Sequence, residues 1–471
     1  MTDNGKLVLY GGSMNPPTVA HEAVGRQLAQ RFERTRVLPC GTRPDKWQTN
    51  AVDATHRANM ARIAFRDIGV ELDLSDLERT EFLRTVDLDR VWNDIVGDGW
   101  TVWHAIGSDL TQGGATGQSQ IQRSWKDGPR AWNTLNFVIV PRPGYPVLEA
   151  DLPPNRMVLP ALELHASSSL ARDAFARGQP ERAGVSEGVA EYAKRFGIYA
   201  GAFGPRRQGR LTLPDHPRLQ LVAAAGNDHA KEILNRIGPR SSDDPHAVVA
   251  IGGDGHMLDV IGSVAPGIPI IGINAGHLGF LLNDVTADQF LAHLAEGLPF
   301  DTHLLPMLEV EFRSTDGEWS PRRKLAFNDA WLERSSTQTA WVRVLSEGQE
   351  RLGIERLVCD TVLVSTPAGS TAYARSMGAP PILIDTPLLT IAASAVANPF
   401  GWHSATVPDD ATVTIEVIDP KKRPMRGVFD GKLFGDCTAM RVRRSRVSGT
   451  ELAFLPGRSL GAKIARLQFP S

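Results

Sequence analysis

The chain of 471 residues is poor in cysteine and tyrosine and has no long hydrophobic run. Its three cysteines, Cys40, Cys359 and Cys437, are far apart and outside any CxxC or CxxH spacing, which argues against a structural zinc site or a disulfide framework. No apolar run approaches the roughly 20 residues that span a bilayer, and no signal-peptide pattern is visible. The net charge of -2 gives no field that favours nucleic acid or a membrane. We therefore expect a globular, cytoplasmic protein.

The length exceeds what one hydrophobic core usually serves, so we expect two or three domains of α/β class. Over residues 1–200, strand-like runs (KLVLY, RVLPC, TVWHAIG, NFVIVP) alternate with helical patterns, which predicts a parallel sheet closed by a helical stretch near 167–196. Residues 201–217, rich in Gly, Pro and Arg, are the predicted linker. Strands and helices alternate again over 218–300, and a β-rich part is expected over 301–471.

The first strand runs into Gly11 and Gly12, and a helix with an apolar residue at every fourth position follows Pro16-Pro17. The start of a helix offers free N–H groups to an anion, and glycines let a phosphate approach the backbone. Thr18 and His21 share the face of the first turn, where a histidine can stabilise charge on an attacked phosphate. The alternatives are an ordinary glycine turn and a Thr18 that acts only as helix cap.

This segment, GGSMNPPTVAH, resembles the signature of nucleotidyltransferases of the adenylyltransferase type, and its NPPT spelling is closest to nicotinamide/nicotinate mononucleotide adenylyltransferases. Further matches follow in order at Pro39–Lys46, His56–Met60, Thr85–Asp87, Ile106–Asp109 and Ser167–Arg172. The resemblance spans about residues 5–195 and implies a Rossmann-like nucleotidyltransferase domain with His21 as the catalytic residue. It also implies that ATP and the mononucleotide are bound by Gly12, Ser13, Met14, Thr18, Lys46, Gly107, Asp109, Ser168 and Arg172. Of these, Lys46, Ser168 and Arg172 would hold the leaving pyrophosphate.

A second apolar strand runs into the sequence GGDG, which contains Asp254. An Asp-Gly pair is also a hairpin signal, but the residues that follow have a helical pattern, which favours a phosphate-binding loop at a helix start. Such an Asp can accept a proton from a sugar hydroxyl or help to hold Mg²⁺. Because several kinase families share GGDG, this motif alone does not name a substrate.

Longer sequence motifs narrow the choice among these kinase families. Residues 272–281 resemble the GINxGxLGFL segment of NAD kinases, and residues 365–373 resemble their TPTGSTAY segment. Asn328-Asp329 stands where that family has Asn-Glu, and Asp360 and Asp430-Gly431 also match. The resemblance spans about 218–456 and implies an NAD-kinase-like α/β subdomain plus a β-rich subdomain, with Asp254 activating the 2′-hydroxyl of NAD. It implies that NAD is bound by Gly253, Gly255, Asn328, Asp329, Asp360, Thr371, Ala372, Tyr373 and Ser376.

Together these resemblances predict a bifunctional enzyme of NADP synthesis. One domain would join NMN or NaMN to the AMP part of ATP, and the other would phosphorylate NAD with ATP and Mg²⁺. The kinase resemblance also implies a homo-oligomer. No metal ligand is assigned, and the choices between amide and acid mononucleotide and between ATP and polyphosphate stay open.

Two alternatives remain. One is a different adenylyltransferase joined to a lipid-type or sugar-type kinase. The other is an active adenylyltransferase fused to a degraded kinase-like domain that senses NAD(P). The second is motivated by three departures from the kinase pattern: the shorter Asp329, Val358 in place of an Arg, and the unusual segment 388–404.

Overall fold

The computed structural model describes residues 5–41, 52–79, 83–201, 207–277, 279–348, 350–458, 461 and 463–464. The chain divides into two compact units, residues 1–206 and 207–471. Within the described ranges, no helix combines the length and the apolar character needed to cross a lipid bilayer.

The first unit is built on a six-stranded sheet in which all neighbouring strands are parallel. Its strands are Gly5–Gly12 (β1), Arg34–Pro39 (β2), Glu71–Leu72 (β3), Trp100–Gly107 (β4), Asn136–Val140 (β5) and Arg156–Val158 (β6). The order β3-β2-β1-β4-β5-β6 is that of a Rossmann fold, and it reverses between β1 and β4. Ligands bind such sheets at the carboxyl ends of the strands beside the reversal, where Gly12 and Gly107 lie. The predicted Rossmann-like sheet is confirmed.

Helices cover this sheet between its strands. They are Val19–Ala29 (α1), Ala54–Phe65 (α2), Ser75–Glu78 (α3), Thr85–Val96 (α4), Gln120–Ser124 (α5), Gly128–Thr134 (α6), Ser168–Ala176 (α7) and Glu187–Arg195 (α8). The helical stretch expected near 167–196 is confirmed, and it consists of two helices. Gly178, with a φ of +69°, and the short 3-10 turn Pro180–Arg182 separate its two helices, because a left-handed residue cannot continue an α-helix.

The apolar periodicity of the first strand and helix follows from their packing. Val8 of β1 contacts the cluster that holds Val24 and Leu28 of α1. Leu7, on the opposite face of the strand, packs in the cluster of Trp92 from α4. Both faces of β1 are thus buried, which fixes the position of the glycine turn at its end.

The second unit begins with an α/β part. Its strands are Gln208–Leu211 (β7), Leu219–Ala223 (β8), Ala247–Gly252 (β9) and Ile270–Asn274 (β10), and its helices are Asp228–Ile237 (α9), Asp254–Ile261 (α10) and Ala287–Ala295 (α11). Strands β8, β9 and β10 are parallel neighbours. Strand β7 lies inside the segment expected as linker. Its antiparallel pairing with a strand starting at Phe300 uses backbone groups and leaves no trace in the side-chain pattern.

The β-rich part follows and contains the short helix Tyr373–Ser376 (α12). Its strands are Phe300–Arg313 (β11), Lys324–Ala326 (β12), Asp329–Arg334 (β13), Ala340–Glu347 (β14), Arg351–Cys359 (β15), Thr361–Ser365 (β16), Leu388–Ser394 (β17), Ser404–Pro408 (β18), Thr412–Val417 (β19), Met425–Phe429 (β20), Lys432–Cys437 (β21) and Ala439–Phe454 (β22). A six-stranded antiparallel sheet has the order β18-β17-β16-β13-β20-β21. The other β-rich strands belong to the ten-stranded sheet β15-β14-β19-β22-β10-β9-β8, in which β11 pairs with β22, β12 and β7.

The two sheets of the second unit share a buried core. Leu308, Val342 and Ile415 come from the ten-stranded sheet, and Leu332 and Val364 come from the six-stranded sheet. The last strand, β22, also pairs in parallel with β10, so the α/β part and the β-rich part share one continuous sheet.

Candidate active sites

The first candidate site is the glycine loop at the carboxyl end of β1. A Cβ placed on Gly11 would meet no atom within 4 Å, and one on Gly12 would touch only the Met14 side chain, at 3.5 Å. The protein's own packing therefore does not fill the space in front of these backbone groups. Met14 itself is buried and has a φ of +44°.

His21 lies in the first turn of α1 with a defined tautomer. The Thr18 backbone N–H donates to His21 Nδ1 at 3.1 Å, and the Thr18 Oγ1 lies 2.7 Å from the same nitrogen. Because a backbone N–H can only donate, Nδ1 carries no proton and the neutral ring carries its proton on Nε2. Thr18 is the N-cap of the helix, as predicted, and it also orients the imidazole.

The charge state of His21 follows from its surroundings. Burial, and secondarily the positive charge of Arg142, lower the pKa of His21 to about 4. The ring is therefore neutral near pH 7, and its free Nε2–H is a hydrogen-bond donor for a phosphate oxygen.

Arg142 belongs to this site, although the sequence did not single it out. Its Nη1 lies 3.1 Å from Asp109 Oδ2, just past the ends of β5 and β4. A Cβ on Gly107 would lie 2.2 Å from Asp109 Oδ1 and 2.4 Å from Arg142 Nε, so a side chain at this position would displace the ion pair. The one sequence signal for Arg142 is its place directly after a predicted strand.

Arg57 connects the glycine loop to the end of β2. Its Nη2 donates to the carbonyl oxygens of Ser13 and Cys40, each at 2.6 Å, from a side chain that is almost fully buried. Burial lowers the pKa of this guanidinium. The sequence placed Arg57 in a matching helix but gave it no role, because the contact depends on the three-dimensional fold.

Ser168 and Arg172, at the start of α7, also contact the glycine loop. Ser168 Oγ donates to the Pro16 carbonyl at 2.8 Å, and Arg172 Nη1 donates to the Asn15 carbonyl at 2.7 Å. These two groups hold the loop itself, so Ser168 Oγ and Arg172 Nη1 are occupied by backbone carbonyls. Their predicted role toward pyrophosphate stays a prediction.

The described residues predicted for the first site thus lie around one loop and the adjacent ends of β1 and β4. They are Gly12, Ser13, Met14, Thr18, His21, Gly107, Asp109, Ser168 and Arg172. Lys46, predicted to bind phosphate, lies outside the described residues.

The second candidate site begins at the end of β9. Asp254 is the first residue of α10, and its Oδ2 and Oδ1 accept hydrogen bonds from the backbone N–H groups of Phe280, at 2.9 Å, and Leu281, at 3.0 Å. A Cβ on Gly253 or Gly255 would meet nothing within 4 Å, so this loop also borders open space. A carboxylate has about four acceptor positions, so two remain for a hydroxyl or a cation.

Asn328 and Asp329 form the second part of this site with Asp430. The Asp430 carboxylate accepts hydrogen bonds from the backbone N–H groups of Phe327, at 2.6 Å, Asn328, at 2.8 Å, and Asp329, at 3.3 Å. Asn328 Oδ1 is buried without a hydrogen-bond partner in the described part of the chain. Burial first, and then the charge of Asp430, raise the pKa of Asp329 to about 8. Asp329 is therefore neutral near pH 7, and the preceding residue carries an amide oxygen without a partner in the described part of the chain.

Residues 366–376 pack against this pair. Thr366 Oγ1 donates to the Phe327 carbonyl at 2.8 Å, and a Cβ on Gly369 would lie 2.2 Å from the Asn328 carbonyl oxygen. Phe327, Leu281 and Met257 of α10 share one buried cluster, which joins the two parts of the second site.

The predicted NAD-binding residues Thr371, Ala372, Tyr373 and Ser376 follow directly. Thr371 Oγ1 donates to the Ala368 carbonyl at 3.2 Å, and Ser376 Oγ donates to the Tyr373 carbonyl at 2.7 Å. Ala372 and Ser376 are exposed, and the partly exposed Tyr373 ring lies edge-on to Trp331, with centroids 5.2 Å apart. Their backbone and ring surfaces therefore remain accessible to a ligand.

Asp360 is not brought to this cluster within one chain. Strands β13 and β16 pair Asp329 with Ser365 and Glu333 with Thr361, so Asp360 lies at the opposite end of both strands. Its carboxylate is 3.0 Å from Arg334 Nε. Five residues of extended strand correspond to roughly 17 Å, which is why closeness in sequence to Ser365 does not give closeness in space.

The two units therefore define a class of protein, a transferase that combines a nucleotidyltransferase-like Rossmann sheet with a kinase-like second unit. Residues 9–174 match the cytidylyltransferase-like family model, and residues 217–297 match the ATP-NAD kinase N-terminal domain. The NAD kinase of Caulobacter vibrioides is 37% identical over 247 residues, covering 51% of this chain and 92% of that protein. The NAD kinase of Cereibacter sphaeroides is 36% identical over 257 residues, covering 54% and 98%.

A solved structure of yeast NADH kinase complexed with NADH aligns at 16% identity and a TM-score of 0.45, covering 54% of this chain and 89% of that one. The chain belongs to the NAD kinase family, and it carries a cytidylyltransferase-like domain in its first unit. Both family resemblances expected from the sequence are confirmed at this level.

Proposed function

We propose that this chain catalyses two consecutive steps of NADP synthesis. The first unit transfers the adenylyl group of ATP to NMN or NaMN, and the second unit phosphorylates the 2′-hydroxyl of NAD. One observation carries the proposal. In each unit a buried strand ends in an unfilled glycine loop, and backbone N–H groups orient a reactive side chain of the next helical turn, His21 or Asp254.

In the first unit, a phosphate oxygen of the mononucleotide attacks the α-phosphorus of ATP. A new P–O bond forms, the bond from the α-phosphorus to the bridging oxygen breaks, and pyrophosphate leaves. The attacking phosphate is already ionised, so no general base is required. The His21 Nε2–H and the loop N–H groups stabilise the charge that grows on the α-phosphate oxygens. Arg57 keeps the loop in place for this purpose.

In the second unit, the 2′-hydroxyl oxygen of NAD attacks the γ-phosphorus of ATP, and ADP leaves. Asp254 orients this hydroxyl and accepts its proton. Two backbone N–H groups bind its carboxylate and fix its orientation. An oriented carboxylate suffices, because phosphoryl transfer depends mainly on positioning and on charge neutralisation. Asn328 Oδ1, buried without a protein partner in the described residues, is a ready acceptor for the dinucleotide.

Mg²⁺ is proposed as the cofactor of the ATP-dependent steps. It supplies charge neutralisation on the phosphate oxygens, its preferred ligands. The oxygen acceptor positions that Asp254 has left fit a hard cation beside those phosphates. Self-association of the chain stays a prediction, which sedimentation velocity measures.

The test uses the purified full chain with ATP, Mg²⁺ and either NMN or NaMN, and separates the products by chromatography. His21→Ala should abolish dinucleotide formation and leave the phosphorylation of added NAD intact, and Asp254→Ala should have the reverse effect. If the wild-type chain makes the dinucleotide but no NADP above the Asp254→Ala control, the second unit is an NAD(P) sensor. If no dinucleotide forms from either mononucleotide, the proposal for the first unit is wrong.

A further inference from the structure

A tyrosine beyond the matched part of the first unit contacts the glycine loop. Tyr199 follows helix α8 and lies outside both residues 9–174 and the sequence resemblance, which ends near 195. Its hydroxyl donates to the Asn15 side-chain oxygen, and its ring packs on Phe175 of α7 with centroids 5.7 Å apart.

Asn15 is the residue of the loop that receives most support. Its side chain is fully buried, its carbonyl accepts from Arg172 Nη1 at 2.7 Å, and its Oδ1 accepts from Tyr199. Its Nδ2 has no partner in the described part of the chain. Removing the Tyr199 hydroxyl would therefore leave the whole Asn15 amide without a hydrogen bond from the described protein.

The surroundings of Tyr199 explain why its hydroxyl is a dependable donor. Burial raises the pKa of this phenol far above its usual value, although the charges of Arg57 and Arg172 oppose that shift. The O–H is thus protonated at any working pH. Both arginines hold the glycine loop themselves, so Tyr199 lies among the groups that fix the loop.

The backbone of Tyr199 is also unusual. Its φ is +70°, in the left-handed region that favours glycine. Such a conformation is strained for a residue with a side chain and persists where surrounding contacts determine it. Residues 197 and 198 follow the last described helix of the unit and bond to its final carbonyls. Directly after them, this conformation places the large aromatic side chain of Tyr199 against the loop.

We propose that Tyr199 is a positioning residue for adenylyl transfer: its hydroxyl fixes Asn15, and with it the backbone N–H groups that stabilise the reacting phosphate. This inference rests on the proposed function of the first unit. It extends that site to a segment which neither the family match nor the sequence resemblance includes.

The test compares Tyr199→Phe with Tyr192→Phe in the full chain. Tyr192 is a matched control, because it is buried in α8 and its hydroxyl lies 3.0 Å from His56 Nδ1 and from Asn59 Nδ2, both in helix α2. Tyr199→Phe should lower kcat for dinucleotide formation about tenfold with KM changed less than about twofold, since preorganisation acts on the transition state. Tyr192→Phe should lower the thermal unfolding temperature and leave kcat within about twofold.

NAD phosphorylation by the same samples controls for the folding of the second unit, and hydrogen exchange in peptides from β1 and β4 controls for the folding of the first; neither should change. A Tyr199→Phe variant that keeps its kcat, or loses no more than Tyr192→Phe, would overturn the inference. A wild-type chain that makes no dinucleotide would instead refute the proposed function, so the two failures are distinguishable.

A second variant, Asn15→Ala, covers the case in which Tyr199→Phe does not fold, and where both variants fold they are combined in a double-mutant cycle. Asn15→Ala alone should reproduce the fall in kcat, and adding Tyr199→Phe should cause little further loss, because both changes remove the same interaction. Independent, multiplying effects, or an Asn15→Ala variant with normal kcat, would overturn the inference.

Discussion

The neutral state of His21 has a consequence for stability that can be measured without any substrate. In the folded chain the pKa of His21 is about 4, whereas an unfolded chain has a histidine pKa of about 6.5. Below about pH 6.5, therefore, His21 binds a proton in the unfolded state but not in the folded state. The contribution of neutral His21 to the free energy of unfolding is fully present above about pH 6.5. It is lost as the pH falls toward 4.

The size of the effect follows from the pKa difference. Each pH unit between the two pKa values corresponds to about 1.36 kcal/mol, so lowering the pH from about 6.5 to about 5 costs at most about 2 kcal/mol. Because part of the ring still faces solvent, we expect about 1–2 kcal/mol. His21→Asn removes the titrating group and keeps an acceptor for the Thr18 N–H, so the variant should lack this pH-dependent loss.

The assay is urea unfolding of wild type and His21→Asn at about pH 7.5 and about pH 5, followed by pulsed hydrogen exchange in peptides from β1 and β4. These peptides report the first unit by itself. His229→Asn is the control, because its side chain is exposed and lies in the second unit. The reasoning about His21 fails if wild type and His21→Asn lose the same free energy of unfolding between the two pH values.

Three further predictions concern single contacts. Gly369→Ala would push a methyl group onto the Asn328 carbonyl, 2.2 Å away, and should raise KM for NAD at least about tenfold, whereas Gly348→Ala, with its nearest contact at 3.5 Å, should not change it. Because the pKa of Asp329 is raised to about 8 in the folded chain, this residue destabilises the fold increasingly as the pH rises from about 4 to 8. Asp329→Asn should therefore raise the unfolding temperature more at about pH 9 than at about pH 5. An equal rise at both pH values would contradict the raised pKa. In Arg57→Lys, the lysine cannot bind two carbonyls from one planar group. The variant should lower the free energy of unfolding of the first unit by about 1.5–3 kcal/mol in urea and should lower the rate of dinucleotide synthesis. An unchanged free energy of unfolding would show that the contact is weak.

The sequence predicted the features that depend on local pattern. The alternating apolar strands gave the parallel sheet, and the glycine pairs at strand ends marked both loops. Thr18 was identified as a helix cap from residue type and position alone. These features follow from short-range periodicity and from the conformational freedom of glycine, which one sequence displays directly.

The features that the sequence did not predict depend on contacts between distant segments. The fold brings Arg142 to Asp109 at the end of β4 and Tyr199 to the glycine loop, and neither belongs to a local motif. Asp360 shows that closeness in sequence does not give closeness in space, since it is five residues before Ser365 but lies at the other end of the strand pair. Strand β7 is four residues long and buries fully only its last residue, Leu211, so its side chains carry no alternating apolar pattern.

The two units differ in how much of the chain each needs before its sheet is complete. All six strands of the first sheet lie between residues 5 and 158, so this unit can close while the ribosome is still translating the second. The ten-stranded sheet cannot be completed until late in translation, because β10 pairs with residues Leu452 and Ala453 of β22. During synthesis, therefore, an apolar strand edge at β10 stays exposed for about 180 residues of translation, and a chain stalled in that interval would present a finished first unit attached to an aggregation-prone second one.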